Sequence, residues 1–200
     1  MPDTPVTIRP LGRPGDLGWV VMAHGEVYAN EFGWDTGFEA LVARIVADYA
    51  AGHAPDREAA WIAELDGRRA GCVFCVADPD RKDTALLRIL LVHPDARGQD
   101  LGRRLIDTCL EFARAAGYDL VRLWTNHPLA AARHLYLERG FELVAEEPHH
   151  SFGVDLVGQT YELGLDRQNG PHATSAARPT PARAASVRRS DRPARGVRRQ

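Results

Sequence analysis

The chain has 200 residues, 44% of them hydrophobic, and its 25 Lys and Arg against 27 Asp and Glu give a formal charge of −2. That suits one globular domain with a sizeable core, and no apolar run approaches the length of a membrane span. Three cysteines are an odd number and argue against a secreted disulfide framework. The opening Met-Pro-Asp-Thr-Pro-Val has no charged-then-apolar leader, so the expected location is cytoplasmic.

In chain order, residues 6–9 read as an edge strand. Asp16 is placed to cap a helix running to about residue 31. Thr36-Gly37-Phe38-Glu39 reads as a capping box opening a second helix to about residue 51. Residues 61–65 and 70–76 are strands joined through Asp66-Gly67, a hairpin turn signal. Cys72 and Cys75 form a C-x-x-C in the second of these strands. Residues three apart on a strand face opposite sides, so core packing is favoured there over zinc or redox work. Residues 84–92 form a fourth strand, 101–116 a helix stopped by Gly117, 120–125 a fifth strand, and 130–139 a helix ended by Gly140. Residues 141–146 and 161–165 are the last strands, and 148–159 between them read as a loop, long for a hairpin. The order β-α-α-β-β-β-α-β-α-β-β supports an α/β or α+β class.

Residues 168–200 hold eight Arg and one Asp, a charge of +7, so the first 167 must carry the −9 that brings the chain to −2. The segment contains Pro171, Pro179, Pro181 and Pro193 and has no Leu, Ile, Met or aromatic residue. It cannot bury enough apolar surface to fold alone. The expected organisation is a domain over 1–167 and a disordered basic Arg/Pro/Ala-rich tail over 168–200. A solvated tail is the favoured reading, and weak, salt-sensitive contact with nucleic acid is left open.

The most informative segment runs from Leu90 to Leu105. An apolar strand stops at Pro94, and a turn containing Arg97, Gly98 and Gly102 leads into an amphipathic helix. The free N–H groups of such a first helical turn, with the helix dipole, make an anion site. Arg97, Arg103 and Arg104 add positive charge. This is chemistry for a pyrophosphate.

The same segment resembles the V-x-P-x-x-R-G-x-G-x-G/A motif of the Gcn5-related N-acetyltransferases (GNAT). Val92, Pro94, Arg97, Gly98 and Gly102 match, and Asp100 stands where the family has its central glycine. Ala132, Leu135, Tyr136, Gly140 and Phe141 fit the family's A-x-x-L-Y-x-x-x-G-F pattern. A closer resemblance is carried by His24 to Tyr28, Phe32 to Asp35, Phe38 to Asp48, Leu123 to Asn126 and His150 to Gly153. These look like the acetyltransferase half of bacterial proteins that fuse a MarR-type DNA-binding domain to a GNAT domain, here without room for the winged-helix half.

The resemblance implies an α/β fold, GNAT-like and mixed, with a mostly antiparallel central sheet flanked by helices. It also implies acetyl-CoA as co-substrate, no metal, and direct attack of a primary amine of a small molecule or protein on the thioester. The pyrophosphate cradle would be Arg97, Gly98, Gln99, Asp100, Leu101, Gly102 and Arg103, acting mostly through backbone N–H. Pantetheine would lie on the backbone of Leu91 and Val92. Tyr136 would give a proton or hydrogen bond to the leaving sulfur. Asn126 would touch the cofactor or serve as a plain turn residue.

No general base is obvious among Glu31, Glu64, His127 and His149, and a water chain is the other route. Arg88 is odd in an apolar strand, and must face a carboxylate or reach the cleft. Acceptor specificity is expected from the first two helices and residues 148–159, with Tyr28, Phe32, Trp34, His149, His150 and Phe152 as lining residues. Tyr28 and Phe32 could equally be core. The alternative function is a non-catalytic acyl-CoA-binding regulatory domain. A homodimer is left open, and no membrane partner is expected.

Overall fold

The computed structural model describes residues 5–165, and the tail over 168–200 lies outside them. The elements in order are β1 (Val6–Pro10), α1 (Asp16–Phe32), α2 (Thr36–Gly52), β2 (Ala59–Leu65), β3 (Arg68–Ala77) and β4 (Thr84–Val92). Then follow α3 (Leu101–Ala115), β5 (Leu120–Asn126), α4 (Ala130–Glu138), β6 (Glu142–Ser151) and β7 (Val154–Gly164). One seven-stranded sheet has the order β1-β2-β3-β4-β5-β7-β6. Only β4 and β5 run parallel; the other neighbours are antiparallel. No helix among the described residues is long and apolar enough to cross a membrane.

Each face of the sheet has its own core. Val20, Ala23 and Val27 of α1 and Phe38, Val42 and Val46 of α2 pack on Ile62, Cys72 and Phe74. On the other face Leu101, Leu105, Ile106, Cys109 and Ala113 of α3 cover Val73, Cys75, Leu87 and Val121. The α3 residues recur at helical spacing on one stripe. Strand β3 is buried on both faces, so it reads as an unbroken apolar run, and Cys72 and Cys75 fall on opposite sides.

Three local readings are corrected. Asp16 does not cap α1. It is fully buried, and its carboxylate accepts the N–H groups of Gly12 (3.1 Å) and Arg13 (2.8 Å) in the preceding loop. Arg9 Nη1 and Arg69 Nε also donate to it, at 2.7 and 2.8 Å. The Arg9 guanidinium, foremost among these donors, holds the Asp16 carboxyl well below the usual carboxylate range. Arg9 binds Glu64 as well (2.7 Å), so the network ties β1, β2, β3 and the start of α1 together.

The cap of α2 is Asp35, whose Oδ1 accepts Gly37 N–H at 2.8 Å. Thr36 is already helical, so its hydroxyl is one residue too late to serve.

Residues 148–159 are not a loop. Strands β6 and β7 form one long hairpin whose two-residue turn is Phe152-Gly153, flanked by the pair Ser151 and Val154. Both turn residues are left-handed, at φ 58° and 79°, as a type I′ turn requires. Phenylalanine is a poor residue for that backbone. Its ring is held 5.1 Å from both Trp34 and Phe38, and its carbonyl accepts Asp35 N–H at 3.0 Å. Strand β6 is exposed along most of its length, so it shows no alternation from which a strand could be read.

Candidate functional site

The parallel ladder between β4 and β5 runs from Thr84 with Leu120 to Leu87 with Leu123 and stops there. Beyond that point β4 continues to Val92 and β5 to Asn126, unpaired with each other. On its other side β4 carries an extra residue against β3, where Cys72 pairs with Leu91 and Phe74 with Arg88. Ile89 in this bulge sits at φ 42°, a conformation that β-branched residues avoid. Backbone strain is therefore concentrated at the fork. Two cavities follow one another along β4 here.

The first, about 640 Å³, is lined by Leu90, Leu91 and Val92, by Tyr28 and Glu31 of α1, and by the first turns of α3 and α4. Of the expected cradle residues, Arg97, Gly98, Asp100, Leu101, Gly102 and Arg103 line it and Gln99 does not. Gly98 is left-handed at φ 77° with open space beside it. Asp100 takes the left-handed position just before α3, at φ 57°.

The N–H groups of this first turn have no intrahelical acceptor. The side-chain cations, by contrast, are already paired. Arg97 holds Glu31 at 2.8 Å, and Arg103 holds Asp100 at 3.0 Å and Glu138 at 3.3 Å. The row of free N–H groups and the open space at Gly98 fit a pyrophosphate held mainly by backbone.

The second cavity, about 530 Å³, lies between the α1–α2 pair and the β4–β5 fork. It shares Tyr28, Leu90, Leu129 and Ala132 with the first, so the two meet there. Tyr136 of α4 is on its wall, 5% exposed, with its ring against Phe141 and Tyr161. Burial raises the Tyr136 phenol well above its ordinary pKa, and does the same for Tyr28. Both are protonated at neutral pH.

Asn126, expected to touch the cofactor or serve as a plain turn residue, lines this second cavity. Its Oδ1 accepts from His149 Nε2 at 2.9 Å, while His149 Nδ1 lies 2.9 Å from Ser151 Oγ. The His149 ring also rests against the half-exposed Trp124 (5.5 Å). Strand β5 carries Asn126 past the fork, three residues beyond the last pair with β4.

Other expected residues separate. Tyr28 and Trp34 line the second cavity and Phe32 the first. Phe152 packs on Trp34 in the aromatic core, and His150 is exposed beside Asp155 (2.7 Å). Among the base candidates, Glu64 is committed to Arg9 and Arg13 away from both cavities, and Glu31 to Arg97. His127 is exposed and lines neither.

One residue was missed. His24 is 1% exposed on the second cavity, with Nδ1 2.7 Å from Val20 O, and burial pushes its pKa down to about 4. A lone imidazole in the Val20–Val27 apolar stripe was the available sign.

The acetyltransferase (GNAT) family model matches residues 24–141. N-acetyltransferase 8 of Mus musculus is 39% identical over 109 residues, which are 52% of this chain and 45% of that protein. The mycothiol acetyltransferase of Beutenbergia cavernae is 35% identical over 94 residues, 47% of this chain and 31% of that protein. The chain thus spans less than half the length of these two relatives. The solved structure of yncA, a proposed acetyltransferase from Salmonella typhimurium with its cofactor acetyl-CoA, has the same fold. Its TM-score is 0.66 at 22% identity, covering 84% of this chain and 99% of that one. A family model that takes in more than half of the residues, on a fold shared with acetyltransferases, makes this chain a member of the acetyltransferase (GNAT) family.

Proposed function

We propose that the protein is an acetyl-CoA-dependent N-acetyltransferase that passes the acetyl group directly to a primary amine of a small molecule or protein. The observation that carries the reading is the meeting of two cavities at Tyr28, Leu90, Leu129 and Ala132, with Tyr136 on the wall. Acetyl-CoA supplies the activated thioester carbonyl. The backbone N–H groups of residues 98–103 hold its pyrophosphate, with Arg97 and Arg103 beside them. The edge of β4 at Leu91 and Val92, unpaired on the β5 side, offers backbone groups to pantetheine. Tyr136, kept protonated by burial, donates to the departing sulfur. Excluding water from the junction strengthens each of these contacts.

On this reading residues 1–167 form the acetyltransferase domain, the module seen in MarR–GNAT fusions, acting in the cytoplasm. The basic segment 168–200 is not required for acetyl transfer. The test is CoA thiol release from acetyl-CoA over a panel of primary amines, with products identified by mass. Acetylated amine supports the proposal. Tight acetyl-CoA binding without turnover on any amine would give the site to the non-catalytic regulatory alternative.

A further inference from the structure

Arg88 lies in the middle of β4, between Leu87 and Ile89, and its side chain is exposed on the second cavity. Three basic side chains line that cavity, His24, Arg88 and Arg122. Arg122 is paired with Glu162 (3.5 Å). His24 is buried and neutral. Among the described residues, no carboxylate lies within ion-pair distance of Arg88. The anions of the cavity, Asp78 and Asp80, stand at its far end, where Asp78 N–H bonds Thr84 O. Thr84 is four strand residues from Arg88, roughly 13 Å along β4. Leu90, where the cavities meet, is two residues away in the other direction, roughly 7 Å. The wall nearest α1 and α2 is apolar: Trp34, Phe38, Leu41 and Ile45.

Resting on the transferase reading above, we propose that the acceptor is a free α-amino acid with an apolar side chain, whose carboxylate is bound by Arg88. An arginine without a carboxylate partner, in a cavity that loses water when filled, favours a ligand that brings one. An α-amino acid has amine and carboxylate on one carbon. The amine can then face the junction while the carboxylate faces Arg88, two strand residues away. The aromatic and branched wall takes the side chain. In the reaction the free-base amine forms a C–N bond to the acetyl carbon, the thioester C–S bond breaks, and one amine proton ends on the CoA thiol. A peptide N-terminus carries an amide in place of the carboxylate and leaves Arg88 unanswered.

The experiment measures kcat/KM for the 20 standard L-amino acids, with the carboxamide and decarboxylated amine of each apolar one, on wild type, Arg88→Gln and Arg88→Lys. The comparison of each substrate across proteins cancels the differing basicity of the amines. Apolar acids should be preferred by the wild type. Arg88→Gln should raise their KM roughly ten- to a hundredfold and so erase their preference over the amides. Arg88→Lys should retain part of it, and unchanged melting temperatures would certify the fold of both variants. Equal use of acids and amides, or an Arg88→Gln KM for acids equal to wild type, overturns the inference and leaves the transferase reading standing. Turnover of the wider amine panel with none of these acids acetylated overturns the inference alone, and acetyl-CoA binding with no amine of either set acetylated overturns both.

Discussion

The two cavities are built by different rules. The first draws its backbone groups from one stretch, Leu90 to Arg103, with Tyr28 and Glu31 of α1 and His134 of α4 beside them. The second gathers side chains from α1, α2, β4, β5, α4 and β7, which lie far apart in the chain. One binds a ligand by main-chain geometry that many sequences can supply. The other binds by side-chain identity, so acceptor choice can change while the cradle stays as it is. Strand β4 serves both, Leu86 to Leu90 on one side of the junction and Leu90 to Val92 on the other.

Four perturbations sharpen or break this contrast. The largest should be on the frame. Helix α1 contributes to both cavities, and Asp16 anchors its start. Asp16→Ala leaves Arg69 without its carboxylate, Arg9 with Glu64 alone and the Gly12 and Arg13 N–H groups without their acceptor, and should lower stability by about 3–5 kcal/mol, harming both sites together in chemical denaturation and binding assays. The Asp16 pKa is depressed in the folded state. Its contribution is therefore fully present above the unfolded value of about 4 and lost as pH falls below it. Acid unfolding of wild type should show that slope and the variant should lack it. An effect on one cavity alone would mean that they are not framed in common.

Next is Tyr136→Phe, expected to lower kcat ten- to a thousandfold, to leave the acetyl-CoA Kd almost unchanged and to barely alter stability. Pre-steady-state rates decide whether chemistry has slowed, and an unchanged chemical step would remove Tyr136 from the reaction. Asp100→Gly should be smaller. It removes a carboxylate beside an anionic ligand and leaves Arg103 with Glu138 alone, worth on the order of 1 kcal/mol or a several-fold tighter acetyl-CoA Kd by calorimetry at low salt. The acceptor KM should not follow; if it does, the two sites are coupled. Deleting residues 168–200 should have the smallest effect, with melting temperature and acetyl-CoA Kd nearly unchanged. A loss of several degrees would show that the tail is part of the folded unit.

What could be read in advance follows the same division. The turn from β4 into α3 was legible because its glycines, its arginines and the stripe of α3 are consecutive. Arg88 stood out for its charge, but nothing in the sequence said which face it shared with Trp124 or that Arg122 was already paired. Which cavity Asn126 lines could not be read, because it depends on the ladder stopping at Leu123, a fact of pairing between strands 36 residues apart. The β6–β7 hairpin was hidden because its exposed strand has no alternation and its turn places Phe152 where glycine or asparagine is expected. What makes that turn tolerable is Trp34 and Phe38, more than a hundred residues earlier.

The fork between β4 and β5 also has a kinetic consequence. Two cavities that share only a junction leave neither substrate lying across the other's path. Among the described residues, no accessible thiol or amine stands at that junction to carry the acetyl group in between. The nearby Cys72 thiol, on β3 beside β4, is fully buried, and burial pushes it far from the thiolate form. Turnover should therefore pass through a ternary complex. Initial rates measured at several fixed concentrations of each substrate should give double-reciprocal lines that intersect rather than run parallel, and no labelled acetyl group should stay on the protein when acetyl-CoA is supplied alone.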